Sequence, residues 1–517
     1  MLAPMRLLIS LLVPAIPLLP LLAGGLVGRV PAASAWRVSF TAACLAAAAA
    51  WVSAGLVLAQ GALTARWTPW EALPGLTVTL RSDTLSAIMT VLVASLGAVI
   101  LNFSRRYLAG DPAERRFHFW LSLTLGSVLT LVLAGHLLLL WLAWVATSLC
   151  LHRLLLLYPE RAGAVFSARK KFVFSRLGDV CLLVACDRLH QLYGTWDLEA
   201  LFTAVEAGQV TGLPAVGFFL VACAALKSAQ FPFHSWLPDT METPTPVSAF
   251  MHAGIINAGG FLLVRLSPLL VHAPAALNFI AVLGALTAAF GAVVMLTQPS
   301  VKRALAYSTI AQMGFMLLQC GLGAFGLALL HLVAHSLYKA HAFLRSGSTV
   351  GATPRAAVTL RTPALSIGFL GGALLVTGLA TLLEMAAPFG PSEFDVFSFG
   401  LALALAYGLA RIWSVGGGWD FVRRSVTAAL LIGLASLLLH AGASRLLPAS
   451  VVVHPPSAVV ALVGATFAAL FVFQALLWRA GHYSLGRQLY VHALNGFYVG
   501  TVANRLLRHL WPRPALR

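Results

Sequence analysis

The chain has 517 residues, of which 60% are hydrophobic and 10% charged, against roughly 25% charged in ordinary soluble domains. Apolar runs of about 20 residues recur from end to end, which excludes a soluble globular protein and points to an all-α, polytopic membrane protein; a β-barrel would show short alternating segments instead. The net charge of +18 belongs with the basic loops that orient membrane proteins, not with nucleic acid, because no basic stripe interleaved with aromatics occurs.

About fifteen spans of roughly 20 residues are expected. Their centres fall near Val13, Ala47, Ala94, Val128, Ala143, Leu182, Phe219, Ile256, Leu286, Ala311, Val333, Ala373, Ala404, Leu434 and Phe467. The first span is longer than a secretory h-region and reads as a retained transmembrane helix. Gly61–Ser82 is the longest early polar excursion, and its β-branched run predicts a small hairpin at the outer surface. With the N-terminus outside, the inner loops receive Arg105, Arg106, Arg115 and Arg116, then Arg161, Arg169, Lys170 and Lys171, then Lys302 and Arg303. That asymmetry is expected of a cytoplasmic face. The tail after Arg479 is then cytoplasmic and reads as an amphipathic surface helix or a docking segment.

The six cysteines all fall in apolar segments and form no C-x-x-C pair, so they read as small core hydrophobes. No Gly-rich phosphate loop follows a strand and no H-E-x-x-H occurs, so neither a cofactor nor a metal site is expected in this chain.

Five lysines occur, Lys170, Lys171, Lys227, Lys302 and Lys339. Three are expected at loops or helix ends, whereas Lys227 and Lys339 lie in apolar helices. A charge at the bilayer centre costs roughly 2.5–3.5 kcal/mol on insertion scales, so an intramembrane lysine marks function. Lysine can give up its proton when buried, while arginine stays charged. His331, His335 and Lys339 are spaced i, i+4, i+8 and line one helix face; His341 lies on another. Histidine passes a proton between its two nitrogens. Beyond Lys227, Pro232, Pro238, Pro244 and Pro246 interrupt the helical pattern, and broken membrane helices are tolerated where they line a cavity or are buried in protein. The helix then resumes with His252 and Asn257. Arg176 and Asp179, three apart, either form a self-satisfied ion pair or leave Asp179 to tune Lys227.

Three stretches carry a resemblance: KSAQFPFHSWLPDTMETPTPVSAFMHAG from Lys227, VKRALAYSTIAQMGFM from Val301, and HLVAHSLYKAHAFLRSGS from His331. They resemble the proton-translocating antiporter-like subunits of respiratory complex I and of multisubunit cation/proton antiporters. The resemblance implies two inverted five-helix repeats, with a broken helix in the first, and a polar axis running through Lys227, His252, His331, His335 and Lys339. It divides the chain into N-terminal helices with the outer hairpin (1–110), a first repeat (115–270), a second repeat (273–415), C-terminal helices (420–480) and the tail (481–517). Val145 stands where the family carries a glutamate, leaving Asp179 as the nearest candidate partner of Lys227. The segment 371–390 has no lysine where the family's second broken helix carries one, and holds only Glu384.

METPTPVSAFMHAGIINAGGF and the tail LYVHALNGFYVGTVANRL further resemble the membrane subunit of two-subunit inorganic carbon pumps. That likeness implies a bacterial inner-membrane location, protons as the conducted species, and a large cytoplasmic zinc-bearing, carbonic-anhydrase-like partner. The zinc chemistry would lie in the partner. A subunit of a complex I-like oxidoreductase or cation/proton antiporter, and a membrane anchor for a cytoplasmic enzyme, stand as the other readings.

Overall fold

The computed structural model describes residues 2–68, 78–349, 455–478 and 484–510, with Arg423, Thr427, Leu431, Gly442 and Val453 between. The expected spans centred at Ala373, Ala404 and Leu434, and the segment holding Glu384, lie outside the described residues.

Helices α1 (Leu2–Val27) and α2 (Ala32–Gln60) precede an antiparallel hairpin, β1 (Leu63–Trp67) and β2 (Val78–Ser82), with Leu63 opposite Ser82. The hairpin is the one expected from the β-branched run. Four helices follow: α3 (Thr84–Tyr107), α4 (Glu114–Leu133), α5 (Leu137–Leu155) and α6 (Ala162–Tyr193). A short α7 (Leu198–Glu206) leads into α8 (Leu213–Lys227). The helix then breaks. A 3-10 turn at Phe233–Ser235, α9 (Trp236–Asp239) and a second turn at Thr240–Glu242 carry the chain to α10 (Thr245–Ala253). Pro232 and Pro244 occupy cap positions in this stretch, and Pro246 lies in the first turn of α10, where no backbone N–H is needed. A further 3-10 turn, Ile255–Asn257, joins α10 to α11 (Ala258–Arg265). Then come α12 (Ser267–Leu270), α13 (Pro274–Thr297), α14 (Val301–Gly321), α15 (Phe325–Arg345), α16 (Ser457–Trp478), α17 (Ser484–Leu494) and α18 (Val499–Leu510).

Every expected centre among the described residues falls in one of these helices, except Ile256 in the turn between α10 and α11. Among the described residues, 7 spans are long and apolar enough to cross a membrane by length and composition. Helices α6, α14 and α15 are not among the seven, and these are the helices that carry much of the buried polar chemistry below.

Packing follows small residues where helices approach closely. A Cβ on Gly284 would sit 2.6 Å from the Gly314 carbonyl oxygen, and one on Gly314 would sit 2.5 Å from the Ala288 nitrogen. Backbone therefore touches backbone between α13 and α14. The hairpin is tied to the α4–α5 corner by Gly135 N–H donating to Thr79 O at 2.9 Å. At the same end, Asp83 caps α3 by accepting from Ser86 N–H at 3.0 Å, and it pairs with Arg265 of α11 at 2.5 Å and Arg81 at 3.5 Å. At the other end the tail folds back onto the protein. Gln298 Nε2 donates to Leu494 O at 3.1 Å, and the rings of Phe290 and Phe497 lie 5.9 Å apart.

One expectation needs correction. Lys170 and Lys171 are not loop residues: α6 begins at Ala162, and the two side chains are 1% and 3% exposed. The run ARKK reads as a loop cluster by composition, but each ammonium finds a partner inside the protein. Lys170 Nζ pairs with Asp239 at 2.6 Å, and Lys171 Nζ donates to Ser148 O at 2.6 Å.

Candidate functional site

Lys227 ends α8 and is buried. In the break that follows it several freed groups find partners, while Gln230 Oε1, His234 Nδ1 and Trp236 Nε1 have none among the described residues. Ser228 Oγ donates to Ile256 O at 2.8 Å, Gln230 Nε2 donates to Ser228 O at 2.8 Å, and Phe231 N–H donates to Thr287 Oγ1 at 3.1 Å. Such bonds allow non-helical backbone at membrane depth.

The Lys227 ammonium has no hydrogen-bond acceptor among the described residues. It lies 4.5 Å from the ring centroid of Trp144 on α5, a cation–π contact next to Val145. Asp179 and Cys223 lie within electrostatic range of it. Asp179 in turn meets Arg176 at 2.5 Å, at ion-pair distance but outside hydrogen-bond alignment. Trp141 Nε1 donates to the Asp179 carbonyl at 2.9 Å and fixes that turn of α6 against α5. So the Arg176–Asp179 pair forms, and its carboxylate also faces Lys227.

The second cluster sits on α15. Lys339 is fully buried, and its Nζ donates to Leu305 O of α14 at 3.1 Å. One turn back is His335, also buried, and a further turn back is His331, whose Nδ1 lies 3.0 Å from Gln319 Oε1. The two imidazoles are 6.1 Å apart between centroids. His252 comes in from α10. Its Nδ1 lies 3.0 Å from Thr309 Oγ1 and its ring stacks on Phe343 at 4.3 Å. Asn257 Nδ2 donates to Ser336 Oγ at 2.8 Å, which locks the turn after α10 to α15. His341 is exposed and apart from this row.

The structure therefore brings His252, His331, His335 and Lys339 together, and gathers Asp179 and Arg176 around Lys227. In the first two histidines one ring nitrogen is bonded, and the Nε2 of all three is buried with no partner among the described residues. An imidazole held at one nitrogen and free at the other can take a proton on one side and release it on the other. Sequence reasoning missed Trp144 and Lys171. Lys227 and Trp144 are 83 positions apart, so no local pattern announces their contact.

A family profile described as "NADH:quinone oxidoreductase/Mrp antiporter, TM" matches residues 134–394. A second, "NADH-Ubiquinone oxidoreductase (complex I), chain 5 N-terminus", matches residues 67–118. The chain is 36% identical over 453 residues to a probable inorganic carbon transporter subunit DabB2 of Halothiobacillus neapolitanus, covering 84% of this chain and 81% of that one. It is 42% identical over 337 residues to a probable inorganic carbon transporter subunit DabB of Hydrogenovibrio crunogenus, covering 64% of this chain and, at 65%, just under two thirds of the relative. It is 39% identical over 276 residues to NADH-quinone oxidoreductase subunit L of Mycobacterium tuberculosis, covering 53% and 44%. Its fold is similar to a chain of the Mrp complex from Dietzia, with a TM-score of 0.61 at 24% identity, covering 99% of this chain and 60% of that one.

Proposed function

The chain belongs to the NADH:quinone oxidoreductase/Mrp antiporter family of membrane subunits, and from that membership we propose that it is the proton-conducting subunit of an energy-coupled inorganic carbon (CO₂/bicarbonate) accumulation complex. The observation that carries the proposal is the pair of buried lysines, Lys227 and Lys339, with His252, His331 and His335 near the second. Burying an ammonium is costly, and two of them, one beside a row of imidazoles, serve a proton path better than they serve packing. The likeness to DabB subunits supports carbon accumulation as the work done by that path.

In this reading protons enter downhill through the chain and drive one-way CO₂ hydration or bicarbonate accumulation in a large cytoplasmic, zinc-bearing, carbonic-anhydrase-like partner, DabA. The chain itself supplies no cofactor and no zinc. It spans a bacterial inner membrane about fifteen times, N-terminus out and C-terminus in, as two inverted five-helix repeats. The tail helices α17 and α18 then face the partner's compartment.

The test is growth of a carbonic-anhydrase-deficient host that depends on the complex, with Lys227→Ala and Lys339→Ala. Both should abolish growth in air and leave expression intact. Undiminished growth would sink the proton-path reading.

A second reading has its own observation, the 39% identity to subunit L of an NADH-quinone oxidoreductase. It makes the chain a subunit of a complex I-like oxidoreductase or cation/proton antiporter. Native mass spectrometry of the purified complex separates the two: one large zinc-bearing partner supports the carbon pump, and a set of small membrane subunits supports the second reading.

A further inference from the structure

The polar surroundings of Lys227 continue away from it along two facing helices. On α5, Trp144, Ser148 and His152 are spaced i, i+4, i+8, and on α6 Asp179, Ser175 and Lys171 keep the same spacing in the opposite direction. Residues four apart share a helix face, so these are two aligned rows. They meet at both levels. Trp141, one turn from Trp144 on the far side from Ser148, donates to the Asp179 carbonyl at 2.9 Å. Lys171 Nζ donates to Ser148 O at 2.6 Å and to Ser148 Oγ at 2.9 Å. His152 closes the row towards the α5–α6 loop, its ring 5.2 Å from that of Phe172 and its Nδ1 buried without a partner among the described residues.

Lys171 is the unexpected member. At about 1.5 Å of rise per residue it lies about 14 Å inside the start of α6 and about 12 Å short of Asp179. It is buried, and Lys227, Arg176, Asp179 and Cys150 are the charged and titratable groups within its electrostatic range, with His152 beside it. A helix–helix tether needs no charge here, since a serine or an amide would bond Ser148 without the insertion cost of an ammonium. Lysine is the basic side chain that can release its proton at such a site.

We propose that this α5–α6 row is the access route between Lys227 and the α5–α6 loop end, the inner end in the orientation given above, with Lys171 as the carrier between Lys227 and His152. The inference rests on the proton-conducting reading given above. At each transfer one N–H bond forms on the acceptor amine or imidazole and one breaks on the donor, and nothing else changes covalently. The row gives Lys227 a connection to the loop end although Val145 removes the acid that the family places on α5.

The test is initial proton flux into proteoliposomes holding the purified complex, driven by an inside-negative potential. Lys171→Met should lower flux by about a hundredfold or more, the range of a lost proton-transfer group. Lys171→Arg should lower it as much, because arginine keeps the charge and the donors but not the exchangeable proton. Lys171→His should recover part of the flux. A tether predicts the reverse order, so wild-type flux in the arginine variant, or in the methionine variant, overturns the proposal. Should Lys171→Met fail to assemble, His152→Phe at the loop end of the row decides: lowered flux supports the route, and unchanged flux overturns it. Lys227→Met, measured in parallel, separates the two levels. If it abolishes flux while Lys171→Met does not, only the access route falls; if Lys227→Met conducts normally, the proton-conducting reading falls with it.

Discussion

Arg265 is a buried charge with several defined partners, and Asp83→Asn removes the ionic one. The Arg265 side chain is 6% exposed and that of Asp83 24%. Arg265 Nη1 meets the carboxylate at 2.5 Å, while Nη2 donates to Ser86 Oγ and, at 3.4 Å, to Val132 O. Asparagine caps a helix about as well as aspartate, so the bond from Ser86 N–H survives and the ionic partner alone is lost. Leaving a buried charge unpaired costs about 3–5 kcal/mol. Water reaches Asp83 and two acceptors remain on Arg265, so the lower end, about 3 kcal/mol, is expected. The assay is equilibrium unfolding in detergent micelles with rising denaturing detergent. The double variant Asp83→Asn/Arg265→Met should recover more than half of the loss, because the orphaned charge is gone. Acid gives a second readout. Burial pushes the Asp83 carboxyl up, but Arg265, as a charge and a hydrogen-bond donor, outweighs burial together with Ser86 N–H and Arg81, and holds it below the usual carboxylate range. The folded value is the lower one. Its stabilisation is therefore complete above the unfolded value near about 4 and is lost as pH falls through the folded value. Asp83→Asn should flatten that acid limb. A loss under about 1 kcal/mol, or no recovery in the double variant, would refute the reasoning.

Three further outcomes are expected. Thr309→Val leaves His252 Nδ1 buried without its partner at 3.0 Å and should cost about 1–3 kcal/mol, with Thr309→Ser largely spared, in the same unfolding assay. Gly314→Ala puts a methyl 2.5 Å from the Ala288 nitrogen, a backbone atom that cannot rotate away, and should cost about 1–3 kcal/mol in thermal unfolding. Gly55→Ala, with nothing within 4 Å, is the matching control and should be neutral or stabilising. Trp144→Leu removes the ring beneath Lys227 and should reduce proton flux about tenfold more than Trp144→Phe, which keeps a ring, consistent with roughly 1–2 kcal/mol for a desolvated cation–π contact. Equal flux in the two variants would show that the ring plays no part.

Much of this architecture is legible because lipid and periodicity leave strong marks. Apolar runs located the helices, the β-branched run located the hairpin, and four prolines located the break after Lys227. The row His331, His335, Lys339 was visible because its members share one helix and one spacing. What stayed hidden depends on contacts between helices. Lys171 looked like a loop cation because Arg169 and Lys170 flank it, and only Ser148, 23 positions earlier, explains its burial. Trp144 gave no sign of its role, since an aromatic in an apolar helix is ordinarily packing. Asn257 was seen as a polar residue on a resumed helix, yet its bond to Ser336 spans 79 positions.

The two lysines are held in different ways, and the difference bears on how a path through them could be switched. Lys339 donates to a helix carbonyl at 3.1 Å, a fixed acceptor on α14 that moves only if the helix moves. Lys227 rests on a ring face, and its carboxylate neighbour is shared with Arg176. An acid at position 145 would give Lys227 a directional partner of its own; Val145 gives none. A cation over a ring is held without a preferred hydrogen-bond direction, and the Arg176–Asp179 pair is itself out of hydrogen-bond alignment. Rotating Asp179 from Arg176 towards Lys227 therefore sacrifices no aligned bond, whereas releasing Lys339 sacrifices one. The adjustable end of the axis is the Lys227 end. It is also the end whose break carries Ser235, which lies beside Gly500 of α18, so a body bound to the tail would bear on the segment that follows Lys227.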